Sequence, residues 1–445
     1  MIKKRKIKRV SDKVNYFIAL PKNLSEEIDS LGLTKERTIQ AKRIVDIIIT
    51  KSLYKYDDGM VTHEIPLSGS YLVNVISSSY KKVVDALLEC GIITRSNFYS
   101  VKHGICYKYR LAKEMVGKGE VKISGVSMVR KEKQEESESV FLSLFKKDLS
   151  QLNINTLKLR EEALKRIKTI SLESFKVNEQ IDEKGLRLKN KNKIYNYSKS
   201  KALEHAKKDG LDVVQDGSFI IFTNANEYVD MKRNSMKFYY ESIIIKLEKS
   251  LYYASRNSTN FRLDTNITNM PSFMVDIIKK DNGLIEVDMH NAQMTFLANK
   301  MSNVETMDSK LFKELCEEGR VYEYIKDKLG LKQREDAKRL TFEVVFSSET
   351  NNSKDVMRFY KLFPSVKEFV NNIKNEIGHK KFAVELQKIE SELFIDGFYK
   401  KLKDNRVFCL TKHDSLIVKK EDLDEVINLC CGIMDARGFK CSLNY

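Results

Sequence analysis

Apolar positions recur at helical spacing in several separate stretches of the chain. In TKERTIQAKRIVDIIITKSLY, which begins at Thr34, the residues Ile39, Ile44, Val45 and Ile48 share one face, and Thr34 is suited to cap the N-terminus. In SSSYKKVVDALLECG, Val83, Val84, Leu87 and Leu88 form a stripe that stops at Gly91, a residue free to close a helix in the left-handed conformation. The period then changes. IITRSNFYSVKHGICYKYRLA reads as two short strands joined by a basic loop, the second alternating through Ile105, Tyr107, Tyr109 and Leu111. Helical spacing returns in VFLSLFKKDLSQL, NTLKLREEALKRIKTISLESF and MKRNSMKFYYESIIIKLEKSLYYA, while SFIIFTNANEYV reads as a strand.

Two helices followed by a hairpin predict a winged helix-turn-helix over residues 34–112. In it the helix with Lys81 and Lys82 would face a DNA groove, and Arg95, Lys102 and His103 on the wing would reach backbone phosphates. The same small fold also serves protein contacts. Residues 1–33 are a basic N-terminal segment, and residues 113–138 are charged, weakly periodic and expected to be a linker. Residues 139–258 are expected to form a helical, thumb-like region. Within it KNKNKIYNYSKSK interleaves Tyr195 and Tyr197 with cations, a composition able to contact phosphates and stack on bases or simply to be a solvated loop.

Composition narrows the class of partner. Lys and Arg number 79 against 62 Asp and Glu, a net charge of +17 that favours a polyanion such as nucleic acid. The seven cysteines are scattered without zinc-finger spacing, consistent with reduced thiols. No apolar run approaches the roughly 20 residues of a membrane helix, and the start MIKKRKIKRV lacks the apolar stretch of a signal peptide. A cytoplasmic protein with no membrane partner is expected.

Three segments of the last third carry candidate chemistry. In GLIEVDMHNAQMTFLA a short apolar strand delivers Asp288 at its end, where a carboxylate can bind a metal or cap a helix. In REDAKRLTFEVVF, Arg334, Lys338, Phe342 and Phe346 recur every four residues and share one helical face. Two cations followed by two aromatics suit a triphosphate with its base and sugar, or an amphipathic helix with snorkelling cations. In RVFCLTKHDSLIVKKEDL two apolar runs flank Lys412, His413, Asp414 and Ser415, the pattern of a hairpin with its acid at the turn.

In this order the segments resemble motifs A, B and C of the family A DNA polymerases and single-subunit phage-type RNA polymerases. The middle one matches the fingers-helix pattern R-x3-K-x3-F-x3-(Y/F) at every position. RFYKLFPSVKEFVNNIK is similar to the segment that follows that helix, and NFRLDTNITNMPSF weakly resembles the stretch before motif A. The resemblance spans roughly residues 260–445 and implies an α+β right-hand polymerase over 259–445. That fold has a palm with an antiparallel sheet and helical fingers and thumb, here preceded by the winged helix.

The resemblance also implies a template-directed nucleotidyltransferase acting on a DNA template and primer with nucleoside triphosphates, in phage or mobile-element replication, with replication proteins as further partners. Asp288 and Asp414 would hold two Mg²⁺ ions, or Mn²⁺ in their place, with the Met289 backbone carbonyl as a further ligand. Lys338 would neutralise the phosphates and protonate the leaving group, and Arg334 would hold the triphosphate tail. Phe342 and Phe346 would sit against base and sugar, His413 would reach the primer terminus, and Arg262 would contact the minor groove.

The chain departs from the family in ways that leave the sugar open. Motif C is His-Asp-Ser, as in the RNA enzymes, rather than His-Asp-Glu; Gln293 stands where the DNA enzymes place a glutamate; Phe346 and Ser347 replace the usual tyrosine and glycine. The interval between Lys338 and Asp414 is short for the family, implying trimmed fingers. Nothing in the first half resembles an exonuclease domain, so proofreading is not expected. A primase or small RNA polymerase is the alternative within the same chemistry, and a non-catalytic replication initiator or regulator the alternative outside it.

Overall fold

The apolar stripes become helices and the alternating runs become short antiparallel strands, giving a mixed α+β protein. The computed structural model describes residues 13–53, 65–100, 105–112, 121–129, 137–171, 181–182, 185–190, 193–196, 213–216, 219–222, 225–256, 259–348, 350–351, 353–440 and 442–445. The chain divides into two compact units, Met1–Gln134 with Asn155–Leu251, and Glu135–Ile154 with Tyr252–Tyr445.

In the first unit, strand β1 (Lys13–Pro21) precedes the helices Lys22–Asp29 and Lys35–Leu53. The backbone N–H of Arg37 donates to the Thr34 hydroxyl at 3.4 Å, so this threonine caps the second helix as its sequence predicts. There follow β2 (Ile65–Pro66), the helices Gly69–Val75 and Tyr80–Glu89, β3 (Ile93–Arg95) and β4 (Lys108–Leu111). Gly91 has φ 68°, the left-handed conformation that lets the chain leave the helix and turn into β3. The three strands form one antiparallel sheet in the order β2-β4-β3. Its buried face and the helices share one core that includes Ile44, Val45, Ile48, Val83, Val84, Leu87, Tyr109 and Leu111.

Strand β5 (Val121–Val129) pairs with β1 along the whole of its length, Lys13 opposite Val129 and Pro21 opposite Val121. The stretch expected to be a linker therefore contains a strand; its partner lies about a hundred residues earlier, beyond the reach of any local pattern. Farther along come the helix Thr156–Lys168, the small antiparallel strands β6 (Ile181–Asp182), β7 (Gly185–Asn190), β8 (Lys193–Asn196), β9 (Val213–Asp216) and β10 (Phe219–Phe222), and the long helix Ala225–Glu248. Arg160 ties the two helices by bridging Glu241 at 2.8 Å and Glu248 at 2.5 Å.

In the second unit the helix Ser137–Leu149 joins the C-terminal elements. Lys403 reaches Asp148 at 2.6 Å with both side chains buried, so that loss of either partner would leave an uncompensated charge between this helix and the C-terminal elements. Strands β11 (Ala254–Arg256) and β12 (Leu263–Thr265) form a small hairpin. The main sheet combines β13 (Leu284–Met289), β14 (Cys409–Lys412), β15 (Ser415–Lys419) and β16 (Leu443–Asn444) in the order β14-β15-β13-β16, every pair antiparallel. The helices from Ala292 to Asp404 lie between β13 and β14 in sequence. One of them continues from His379–Ser391 into Glu392–Tyr399, which winds with the wider i→i+5 spacing of a π-helix and buries Phe394, Phe398 and Tyr399.

Candidate active site

The alternation of β13 turns Val287 and Met289 into the core and leaves Glu286 and Asp288, two residues apart, on the other, partly open side, whose far end is closed by the buried Leu284. Asp288 lies opposite Ser415 in register and opposite Asn444 on the other flank. His413 and Asp414 form the two-residue turn between β14 and β15, because Lys412 and Ser415 are partners. His413 has φ 56°, a region that non-glycine residues visit at a cost of order 1–3 kcal/mol and in which such outliers cluster at functional sites. Asp288 and Asp414 thus come together at one end of the sheet's strands.

Burial first, and the charge of Asp414 second, push the Asp288 carboxyl up to about 6, opposed by the Met289 backbone N–H, which donates to it at 2.9 Å, and by Lys338. Glu286 behaves oppositely. Burial would raise it, but the Lys279 ammonium at 2.7 Å and the Ser415 hydroxyl, donating at 2.7 Å, hold it below the ordinary carboxylate range. One strand therefore presents an already neutralised carboxylate beside one that lacks a counter-charge at contact distance, and the second is the one suited to receive a cation.

The helix Arg334–Phe346 buries Ala337, Leu340, Thr341, Val344 and Val345 and leaves Arg334, Lys338, Phe342 and Phe346 outside the buried stripe. The four-residue spacing read from the sequence therefore runs beside the buried face, with Lys338 exposed and Arg334, Phe342 and Phe346 half-buried. Phe342 and Phe346 stack at 5.5 Å, and the Lys338 ammonium lies 6.0 Å from the Phe342 ring. Arg334 sits 4.9 Å over the Tyr322 ring, pairs with Glu323 at 2.5 Å and reaches the Asn291 amide oxygen at 3.5 Å. Tyr322, pushed up to about 12 by burial, hydrogen-bonds Thr341 and feels both Arg334 and Asp414. At the end of this helix the buried Lys374 donates to the carbonyls of Val344 and Ser347 at 2.5 and 2.7 Å.

Arg262 and Gln293 converge on a residue that no sequence pattern flags. Glu390, 1% exposed, accepts from Arg262 Nε at 2.8 Å and Nη2 at 2.9 Å, and from Gln293 Nε2 at 2.5 Å. Burial raises the Glu390 carboxyl against the pull of Arg262, with Asp414 adding to the rise. Because the Gln293 amide nitrogen is committed to Glu390, its Oε1 faces away as a buried acceptor without a partner. Burial, and next the Arg262 charge, hold the His413 imidazole below its ordinary value, and its Nδ1 is also buried and unpartnered.

Asp288, Asp414, Lys338, Arg334, Gln293, His413 and Arg262 therefore belong to one neighbourhood of the second unit. Lys81, Lys82 and Arg95 are exposed on the first unit, and Lys102 and His103 lie outside the described residues. Glu390, Asn291, Tyr322 and Glu286 are the members the sequence did not signal. Glu286 alone had a local clue, its place two residues before Asp288 on an alternating strand.

Among the described residues no group of three or more His, Cys, Asp or Glu is poised to hold a metal, and no helix is long and apolar enough to cross a membrane. Set against known protein families and curated proteins, the chain matches none.

Proposed function

We propose that the chain is a template-directed nucleotidyltransferase, a DNA polymerase of the family A type without proofreading. The observation that carries this reading is the convergence of Asp288 at the end of β13 with Asp414 at the turn beside it, Asp288 within the influence of Lys338 and Tyr322 feeling both Asp414 and Arg334, the other cation of that helix face. Four side chains suited to phosphoryl transfer from a triphosphate, two carboxylates and two cations, thus come from three separate elements.

The donor set fits Mg²⁺. That ion is commonly held by one or two carboxylates together with substrate phosphates and water, so a protein site of Asp288 and Asp414, with the Met289 carbonyl as a further ligand, is adequate without a third acidic group. The raised Asp288 carboxyl supports this, because a dication relieves the burial and like-charge repulsion that raise it. Two ions held by Asp288 and Asp414 would activate a primer 3′-hydroxyl and neutralise the triphosphate. Lys338 stabilises charge on the phosphates and protonates the departing pyrophosphate; Arg334, braced by Tyr322, holds the triphosphate tail; the Phe342–Phe346 stack receives the base and sugar. Glu390 positions both Arg262 and Gln293, and the Arg262 charge acts on His413 at the primer end.

Residues 34–112 of the first unit serve as a winged-helix module that directs the enzyme to DNA. Supporting this are the element order from the Lys35–Leu53 helix to β4, the sheet order β2-β4-β3, and the exposed Lys81 and Lys82 in the first turn of the Tyr80–Glu89 helix.

Extension of a labelled primer on a template with Mg²⁺ tests the reading, with deoxy- or ribonucleotides and with or without primer, against Asp288→Asn and Asp414→Asn. Templated extension lost in both variants is the expected result, and the preferred sugar and primer requirement separate the DNA polymerase from an RNA polymerase or primase. No incorporation under any condition, with DNA binding intact, would make the protein a non-catalytic initiator or regulator.

A further inference from the structure

The hairpin of β3 and β4 carries an aromatic surface that the catalytic reading does not use. Phe98 is 60% exposed, Tyr99 52% and Ile105 37%, so three large apolar side chains face water within eight residues of chain. Their backbone is well held. Ser100 and Ile105 exchange hydrogen bonds at 2.9 and 2.8 Å, Ser96 N–H donates to the Lys108 carbonyl at 2.8 Å, and Lys108 N–H donates to the Ser96 hydroxyl at 3.0 Å. The exposed rings are thus displayed on a braced hairpin and lose little freedom on engaging a partner.

The rings are also arranged. Tyr99 stacks on Tyr107 with centroids 5.1 Å apart and planes 23° from parallel. The Arg95 guanidinium lies 4.5 Å over the Tyr107 ring and hydrogen-bonds Tyr109. With one face of Tyr99 covered by Tyr107, its exposed half is the opposite face and edge, and a further flat ring placed there would extend the stack. Arg95 and Lys108 are exposed on the same hairpin, and Lys81 and Lys82 are exposed on the helix that precedes it, in a chain with net charge +17.

Flat apolar rings combined with cations suit a ligand that has flat apolar faces and negative charge. Duplex DNA offers the charge but keeps its base faces inside the helix, whereas a single strand offers both. We propose that Tyr99, with its chain neighbour Phe98, is a stacking platform for an unpaired nucleobase, so that this hairpin holds single-stranded or locally opened DNA. The inference depends on nucleic acid being the partner and on nothing in the catalytic site.

Full-length protein is titrated against one sequence presented as a single strand, a duplex and a duplex with a central unpaired bubble, with 2-aminopurine at the positions unpaired in the bubble. The chain contains no Trp, so protein emission does not obscure the probe. Expected is quenching of the probe in the single strand and bubble but not in the duplex. Tyr99→Ala weakens binding to those two by about 5- to 150-fold, the range of alanine substitution at base-stacking aromatics, and abolishes the quenching. Tyr99→Phe retains both, and duplex affinity stays within about twofold throughout, as a stacking role requires. Equal losses on duplex and single strand, no change in Tyr99→Ala, failure of Tyr99→Phe alongside it, or no wild-type binding to the single strand each overturns the proposal. The readout is binding, so the primer-extension result does not affect it.

Discussion

The Gln293 amide donates to the buried Glu390 carboxylate at 2.5 Å, across 97 residues of chain, and the same carboxylate holds Arg262. A buried charge with two donors is costly to disturb on either side. Glu390→Gln keeps the shape but leaves Arg262 without its counter-charge, and should lower stability by about 1–3 kcal/mol, read as a lower urea midpoint at unchanged slope. Gln293→Glu sets a second carboxylate against the first and should destabilise more at pH 8 than at pH 5, where the pair shares a proton. Equal losses at the two pH values would contradict this.

Asp288 should weaken the fold that carries it. A carboxyl raised from 3.8 to about 6 is harder to ionise in the folded protein than in the unfolded chain. Its charge therefore opposes folding fully above pH about 6, and the penalty fades as pH falls toward 3.8. Allowing for partial solvent access, Asp288→Asn should raise stability at pH 8 by on the order of 1 kcal/mol while abolishing incorporation. Thermal denaturation at pH 8 checks the first half, and a melting temperature at or below wild type would refute it.

Mg²⁺ should stabilise the wild-type protein at millimolar concentration, because a ligand that binds only the folded state raises its melting temperature by mass action. The shift should be small or absent in Asp288→Asn and Asp414→Asn. An equal shift in all three proteins would place the ion elsewhere.

His413 contributes pH dependence of the opposite sign. Burial and Arg262 hold its folded value below the ordinary 6.5, so the unfolded chain takes up the proton first. Its contribution is intact above pH 6.5 and is lost as pH falls through that value toward the lower folded one. Histidine NMR should show the His413 ring less than half protonated at pH 6.5, a mostly charged ring there being the contrary result.

Lys374 holds the end of the Arg334–Phe346 helix by donating to two terminal carbonyls from a 2% exposed position. Lys374→Met fills the space but strands those acceptors and should cost about 1–3 kcal/mol. If the helix end positions the aromatic stack, the apparent KM for nucleotide should rise as well. A variant as stable as wild type would show that the carbonyls find other partners.

Local pattern alone determined much of this protein. The helices with Val83, Val84 and Leu87 or with Arg334 to Phe346, the β14–β15 hairpin with Asp414 at its turn, and the strand ending at Asp288 all follow from periods of 3.6 and 2 and from turn residues, which act over a few positions. The same periods placed Arg334, Lys338, Phe342 and Phe346 on one face. Pairings across long separations were decided only in three dimensions: β13 between β15 and β16, β1 against β5, Lys403 with Asp148, and Arg262 and Gln293 on Glu390. Such contacts depend on which surfaces remain to be buried once the local elements exist, and a carboxylate in a helix such as His379–Ser391 carries no mark of the charge it will meet until the chain has closed around it.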